Sequence, residues 1–148
     1  MNKIASILIA DDDDDDCFLV QSALEECGIT NPTIFVKDGR ALLDYLKQND
    51  ATMVGLILLD LNMPCMDGRE VLRSLKSDEK LRKIPVVILT TSRASQDIEE
   101  CYAIGANCYV VKPASYSVFN DTIATLVKFW IELSQLPVIA AQSAKISF

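Results

Sequence analysis

The 148-residue sequence contains no histidine. A catalytic triad or any general base that depends on imidazole is therefore excluded, and a zinc site would have only cysteine or carboxylate ligands. The chain also lacks a run of roughly 20 apolar residues, the length that a membrane-spanning helix requires. Residues 1–6 carry no signal peptide, so we expect a cytoplasmic protein with no membrane partner.

Clustered basic residues and paired cysteines are missing as well. The formal net charge is −7, whereas a surface that neutralises nucleic-acid phosphates needs clustered Lys and Arg, so we expect no nucleic-acid partner. The five cysteines form no C-x-x-C pair, which predicts reduced thiols that fill the core. They are Cys17, Cys27, Cys65, Cys101 and Cys108.

Short apolar runs rich in Ile and Val alternate five times with longer segments of helical period. This alternation predicts five βα units around a parallel sheet, hence an α/β protein with one domain. The predicted strands cover residues 6–10, 33–37, 56–60, 86–90 and 108–111. We expect Ser95 to cap the fourth helix and the last helix to run from about residue 115 to 133.

Polar side chains stand where four of the predicted strands end. Asp11 and Asp12 follow the first strand, Asp60 ends the third, Thr90 ends the fourth and Lys112 follows the fifth. The carboxyl ends of parallel strands lie along one edge of the sheet, where open α/β folds form their sites. Three carboxylates, a hydroxyl and an ammonium are therefore expected in one pocket.

Three carboxylates at one sheet edge indicate a compensating cation, because such groups repel one another and are costly to desolvate. Mg²⁺ fits, since it prefers oxygen ligands and keeps several waters. The expected ligands are Asp11, Asp12 and Asp60, with the backbone carbonyl of Asn62.

A carboxylate beside such an ion can attack a phosphoryl group. Asp60 is best placed as that nucleophile because it ends the central strand, and the product would be an aspartyl phosphate. Thr90 and Lys112 are expected to hold the other phosphoryl oxygens.

These residues resemble the motifs of bacterial response-regulator receiver domains of the chemotaxis type, over about residues 3–133. The motifs are the acidic pair after the first strand, LLDLNMPCMDG around Asp60, Thr90 five residues after Pro85, and Lys112-Pro113. The resemblance implies a flavodoxin-like, doubly wound five-stranded parallel sheet of order 2-1-3-4-5 with five helices.

The same resemblance implies a two-component phosphoswitch rather than an enzyme. A sensor histidine kinase would phosphorylate Asp60 with Mg²⁺, which would switch the face between the fourth strand and the fifth helix. Thr90 would move toward the phosphoryl group and Tyr109 would rotate inward behind it, so both are expected switch residues. A cis peptide before Pro113 is also implied.

Three further segments resemble the stand-alone receivers that serve bacterial and cyanobacterial phytochrome kinases. They are LTTSRASQDI, ANCYVVKP, and FW followed by LP. This resemblance implies a phytochrome among the candidate kinases and pairing of two copies through the fifth strand and helix.

The last helix and the tail carry more apolar residues than one sheet face covers, which also predicts a self-association surface. We expect a homodimer with Phe129, Trp130 and Ile131 near the contact, next to Leu136, Val138 and Ile139 of the tail. The receiver domain is predicted over residues 1–134, and residues 135–148 form a tail that is either an interface or disordered.

Two other functions use similar residues or the same fold. A haloacid-dehalogenase-type phosphatase shares the Asp nucleophile, Mg²⁺, a hydroxyl and a Lys, but normally carries D-x-D, whereas this chain reads Asp60-Leu61-Asn62. A flavin-binding module would need a Ser/Thr/Gly-rich phosphate cradle after the first strand. Six aspartates occupy residues 11–16 instead, and we interpret residues 13–16 as a solvated helix N-terminus.

Overall fold

The computed structural model describes residues 4–137. Five parallel strands form one sheet in the order β2-β1-β3-β4-β5, which confirms the predicted flavodoxin-like α/β fold. The strands are β1 (Ser6–Ala10), β2 (Thr33–Val36), β3 (Val54–Leu59), β4 (Val86–Thr90) and β5 (Cys108–Val111). The helices are α1 (Asp14–Glu26), α2 (Gly39–Gln48), α3 (Gly68–Ser77), α4 (Ser95–Ile104) and α5 (Tyr116–Val127).

The three central strands β1, β3 and β4 are buried along their whole length. Helices cover both faces of a parallel sheet, so no position on such a strand faces water. One core cluster lies between the sheet and α2, α3 and α4, and the other lies between the sheet and α1 and α5. The register pairs Ala10 with Leu59, which places the residues that follow β1 and β3 side by side.

Aspartates define where the first three helices begin. Asp13, Asp38 and Asp67 are the N-caps of α1, α2 and α3, and each side chain accepts a backbone N–H of the first turn. This bond satisfies donors that have no partner within the helix. The predicted cap of α4 is wrong, because Ser95 is already helical and the N-cap is Ala94, whose side chain offers no acceptor.

Three other predictions differ from the structure in detail. β2 and β3 each end one residue earlier than predicted, and β3 begins at Val54. The last helix is α-helical only to Val127 and continues as a π-helical segment over Lys128–Leu133. No cis peptide occurs in the described part of the chain, so the bond before Pro113 has the trans form that most X-Pro bonds adopt.

All five cysteines are free thiols. Cys101 is buried in the core, whereas Cys65 is exposed, so the core-filling interpretation is wrong for Cys65. None of the helices within residues 4–137 is long and apolar enough to span a membrane.

Candidate functional site

The sheet brings the predicted polar residues to one edge. The backbone N–H of Asp60 donates to the Ala10 carbonyl at 3.0 Å, next to Asp11. The backbone N–H of Lys112 donates to the Thr90 carbonyl at 2.7 Å. The loops after β1 and β3 therefore start side by side, and so do the loops after β4 and β5.

Asp11, Asp12 and Asp60 form the one group of at least three acidic or thiol side chains, within residues 4–137, that could share a metal ion. One oxygen from each lies within 4.8 Å of the others. Asp11 and Asp60 are buried, while Asp12 is exposed. Buried carboxylates with an open, solvated side fit a hard divalent cation that keeps part of its water shell.

Asn62 was predicted to add its backbone carbonyl to this group. Asn62 is exposed in the loop after β3, and its backbone N–H donates to Asp60 Oδ1 at 3.3 Å. The loop therefore turns back on the Asp60 carboxylate, which keeps Asn62 adjacent to that one of the three acids.

Lys112 lies at the centre of the acidic site, with a side chain only 5% exposed. Its Nζ donates to Asp11 Oδ2 at 2.7 Å, to Asp16 Oδ2 at 2.7 Å and to Asp60 Oδ2 at 3.0 Å. Burial by itself favours the neutral amine, but the hydrogen bonds to Asp11 and Asp16 outweigh it and raise the pKa of Lys112. The lysine therefore stays charged and partly compensates the carboxylates.

Burial has the larger effect on Asp11. It raises the pKa of Asp11 above its usual value, although the hydrogen bonds from Lys112 and from the Asp13 N–H act in the opposite direction. A raised carboxyl pKa means that one ammonium does not fully offset the cost of ionising this site. The arrangement is therefore receptive to a further positive charge.

Asp16 is the residue that sequence reasoning missed. The interpretation of residues 13–16 as a solvated helix N-terminus fits the capping residue Asp13 and the exposed Asp14, which pairs with Lys37. Asp16 instead contacts Lys112. The signal was available, because side chains in the first turn of a helix point back toward its N-terminus, here toward the sheet edge.

The two expected switch residues meet at Ser92. Thr90 is fully buried, and its Oγ1 accepts the Ser92 N–H at 3.4 Å. The Tyr109 hydroxyl donates to the Ser92 carbonyl at 3.0 Å, and the Tyr109 N–H donates to the Tyr102 hydroxyl at 3.0 Å. The structure thus holds Tyr109 in one orientation through the loop that follows Thr90.

Gly68, which follows the N-cap Asp67, lies directly against the backbone of the loop that carries Asp60. A Cβ at this position would lie 2.3 Å from the Asp60 carbonyl oxygen and 2.7 Å from the Leu61 Cα. Both are backbone atoms, so a larger residue at position 68 would fit only if the backbone of Asp60 and Leu61 moved. The start of α3 packs directly against the carboxylate-bearing loop for this reason.

The residues expected at a dimer contact differ in exposure. Phe129 is 48% exposed, and its ring meets Trp130 edge to face with centroids 5.2 Å apart. Trp130 and Ile131 are partly buried against the core cluster that α1 and α5 cover. Leu136 is buried, and Val138 and Ile139 lie outside the described residues.

The fold and the acidic edge together define a class of protein. The family model of the response regulator receiver domain matches residues 7–141. The chain belongs to this family, whose members are signalling domains. The match supports neither the phosphatase nor the flavin-binding alternative.

Among proteins of this class, the chain is similar to response regulator Rcp1 of Synechocystis. The two are 37% identical over 135 residues, which is 88% of this chain and 92% of the relative. A solved structure of Rcp1 in its Mn²⁺-bound form superposes with a TM-score of 0.83 at 36% identity, covering 90% of this chain and 99% of that one.

A second solved structure is the phosphorylated cyanobacterial phytochrome response regulator RcpA. It superposes with a TM-score of 0.86 at 38% identity and covers 90% of this chain and 99% of the other. The chain is therefore similar over most of its length to response regulators of phytochromes.

Proposed function

We propose that this chain is a phosphorylation switch of a two-component system that accepts a phosphoryl group on Asp60 with the help of Mg²⁺. The observation that carries the proposal is the position of Lys112, whose Nζ contacts Asp60 and Asp11 beside the three-carboxylate group. A buried ammonium and a candidate cation site then flank the same carboxylate. Positive charges beside a transferring phosphoryl group stabilise the negative charge on its oxygens.

The residues divide the work of the transfer. Asp60 is oriented by the Asn62 N–H at Oδ1 and by Lys112 at Oδ2. One carboxylate oxygen forms a new bond to phosphorus while the bond between phosphorus and the donor's leaving atom breaks. The leaving group keeps that electron pair.

The remaining residues hold the phosphoryl oxygens. Lys112 donates to one of them, and the Thr90 hydroxyl turns toward another. Asp11, Asp12, Asp60 and the Asn62 carbonyl would hold Mg²⁺, which when bound neutralises charge on the phosphoryl oxygens.

Acetyl phosphate with Mg²⁺, followed by intact mass measurement, tests the acceptor. We expect one added phosphoryl group, lost in Asp60→Asn and blocked by a chelator. Asp121→Asn is the matched control, because it removes one carboxylate from an exposed position on α5. Labelling that persists in Asp60→Asn would contradict the proposal.

The donor that we propose in the cell is a sensor histidine kinase of the phytochrome type. The similarity to RcpA and to the bacteriophytochrome response regulator RtBRR supports this partner. Phosphorylation would then shift the face from β4 to α5 between two arrangements through Thr90 and Tyr109. Transfer of label from a phosphorylated phytochrome kinase to Asp60, faster than from an unrelated kinase, is the expected result.

We also propose a receiver domain over residues 1–134 that pairs with a second copy through α5 and the tail of residues 135–148. An apolar groove between β5 and α5, lined by Val110, Val118, Phe129 and Trp130 among others, supports this surface. Sedimentation should show a dimer that Phe129→Ser weakens. A monomer at high micromolar concentration would refute the pairing.

A further inference from the structure

The three carboxylate partners of Lys112 fall into two groups. Asp11 and Asp60 also belong to the candidate metal group, whereas Asp16 does not. Asp16 lies in the first turn of α1, and its side chain is 23% exposed. It is therefore the partner of Lys112 whose oxygens a cation at the metal group would leave available.

Lys112 and a cation at the metal group compete for two of the same carboxylates. The ammonium contacts two of the three acids whose ligand oxygens lie within 4.8 Å of one another. Like charges this close repel strongly where burial limits screening. A cation that takes oxygens of Asp11 and Asp60 therefore shifts the ammonium toward Asp16.

The pair of Lys112 and Asp16 also borders an open pocket. This pocket has a volume of about 400 Å³ and is lined by Thr91, Arg93 and Ser115 as well as by the pair itself. Solvent and an anionic group can approach the ammonium from this side. The ammonium thus contacts Asp16 beside this pocket and, at the same time, Asp60, the carboxylate that would carry the phosphoryl group.

We propose that Asp16 is a positioning residue that competes for Lys112 with the metal group before phosphorylation and with the phosphoryl oxygens during it. The proposal rests on the proposed function, because it concerns transfer to Asp60. By drawing the ammonium toward α1, Asp16 frees Asp11 and Asp60 for the cation. The same contact slows the transfer, because it holds the ammonium toward α1 and away from a phosphoryl oxygen on Asp60.

Two opposite effects distinguish this role from general damage to the fold. Without the Asp16 charge, Lys112 binds Asp11 and Asp60 more tightly, so the affinity for Mg²⁺ falls. At saturating Mg²⁺ the freed ammonium binds the phosphoryl group, so phosphorylation becomes faster. A merely structural loss would lower both.

The test compares Asp16→Asn with Asp15→Asn. Both variants remove one negative charge from the same helix turn, but the ion pairs of Lys112 with described residues include Asp16 and not Asp15. Calorimetry measures the Mg²⁺ affinity without any phosphate donor. Intact mass against time measures the rate with acetyl phosphate at saturating Mg²⁺, where acetate leaves as the bond to Asp60 forms.

We expect Asp16→Asn to bind Mg²⁺ about threefold more weakly and to be phosphorylated about threefold faster than Asp15→Asn, the scale of one partly exposed ion pair. Asp16→Glu, which restores the charge, should return both values toward those of the unaltered protein. Equal behaviour of the two Asn variants, or slower phosphorylation of Asp16→Asn, would overturn the proposal. If the unaltered protein gains no phosphoryl group, the proposed function fails instead.

Discussion

Lys112 and Arg69 each contact three carboxylates, but their surroundings differ. The lysine cluster (Lys112 with Asp11, Asp16 and Asp60) lies at the carboxyl edge of the sheet, and its cation is 5% exposed. The arginine cluster (Arg69 with Asp67, Asp97 and Glu100) joins α3 to α4, and its cation is 21% exposed. In the described chain, the lysine cluster shares Asp11 and Asp60 with the one group of acids that could hold a metal ion, whereas the arginine cluster shares none.

The chemistry of the two cations explains why the lysine cluster and the arginine cluster differ. An ammonium is a compact charge on a flexible stem that can change partners, whereas a guanidinium presents donors in a rigid planar fork. Asp97 accepts from Arg69 and from the Ser92 hydroxyl, so the arginine cluster also fixes the loop whose carbonyl anchors Tyr109. The lysine can therefore exchange carboxylate partners, whereas the arginine cluster fixes the loop after β4 in one position.

Loss of the lysine should have the largest effect on stability. Lys112→Met leaves buried carboxylates without their partner, and we expect the free energy of unfolding in metal-free buffer to fall by about 3 kcal/mol. Arg69→Met, at a site that water reaches, should cost about 1 kcal/mol. Urea unfolding of both variants measures the difference, and an equal or reversed order would break the comparison.

The second largest expected effect is a gain in stability on addition of Mg²⁺, which should depend on the metal group and not on the arginine cluster. At about 100 times its dissociation constant, a ligand that binds only the folded state stabilises it by about 2.7 kcal/mol. We expect this gain in the unaltered protein and in Arg69→Met, and its loss in Asp12→Asn. Thermal unfolding with and without Mg²⁺ measures it, and a gain that Arg69→Met abolishes would show that the arginine cluster takes part in the metal site.

Removal of the Tyr109 hydroxyl tests the link between the arginine cluster and Tyr109. Tyr109→Phe loses the hydrogen bond to the Ser92 carbonyl, and we expect a loss of about 1 kcal/mol in the free energy of unfolding. The rate of phosphorylation should change little, because the hydroxyl does not contact the lysine cluster. Tyr102→Phe is a control for the other hydrogen bond of Tyr109, and a rate that falls only in Tyr109→Phe would contradict this separation.

The smallest expected effect is a difference in the sign of pH dependence. Burial raises the pKa of Asp11, so the contribution of Asp11 to stability falls as the pH rises from 3.8 through the folded-state pKa. Hydrogen bonds from Ser92 and Arg69 lower the pKa of Asp97, so its contribution is present above 3.8 and is lost as the pH falls through the folded-state pKa.

Urea unfolding in metal-free buffer from pH 3 to pH 7 measures both signs. Relative to the unaltered protein, Asp11→Asn should gain stability as the pH rises, and Asp97→Asn should lose it. Two slopes of the same sign would show that the clusters do not differ in this respect.

Most of the fold followed from local pattern. The period of the apolar residues located the five strands to within two residues and indicated a helix after each, because a fully covered parallel sheet requires continuous apolar strands. The errors lay at the ends of strands and helices, where single hydrogen bonds decide which residue begins or ends the element. Ser92, three residues before Ser95, accepts the N–H of the N-cap residue Ala94 and binds Asp97, which no period could have indicated.

The candidate site was likewise predictable in part from the sequence. That Asp11, Asp12, Asp60, Thr90 and Lys112 would share one edge follows from strand order and from their positions at strand ends. Trp130 and Ile131 are predicted near a dimer contact, and the structure adds that they pack partly against the core of their own chain. Burial of this kind depends on how the segment after α5 turns, which its composition does not specify.

The sequence by itself determined the sheet, the edge that carries the acids and the absence of imidazole chemistry, because these depend on the order and type of residues. Only the tertiary structure decided which acids Lys112 contacts, since elements far apart in sequence place them. Asp16 is the clearest case, being 96 residues from Lys112 and 2.7 Å from its ammonium. Helix α1 must first pack against the sheet and α5 before its first turn can aim a carboxylate at that lysine.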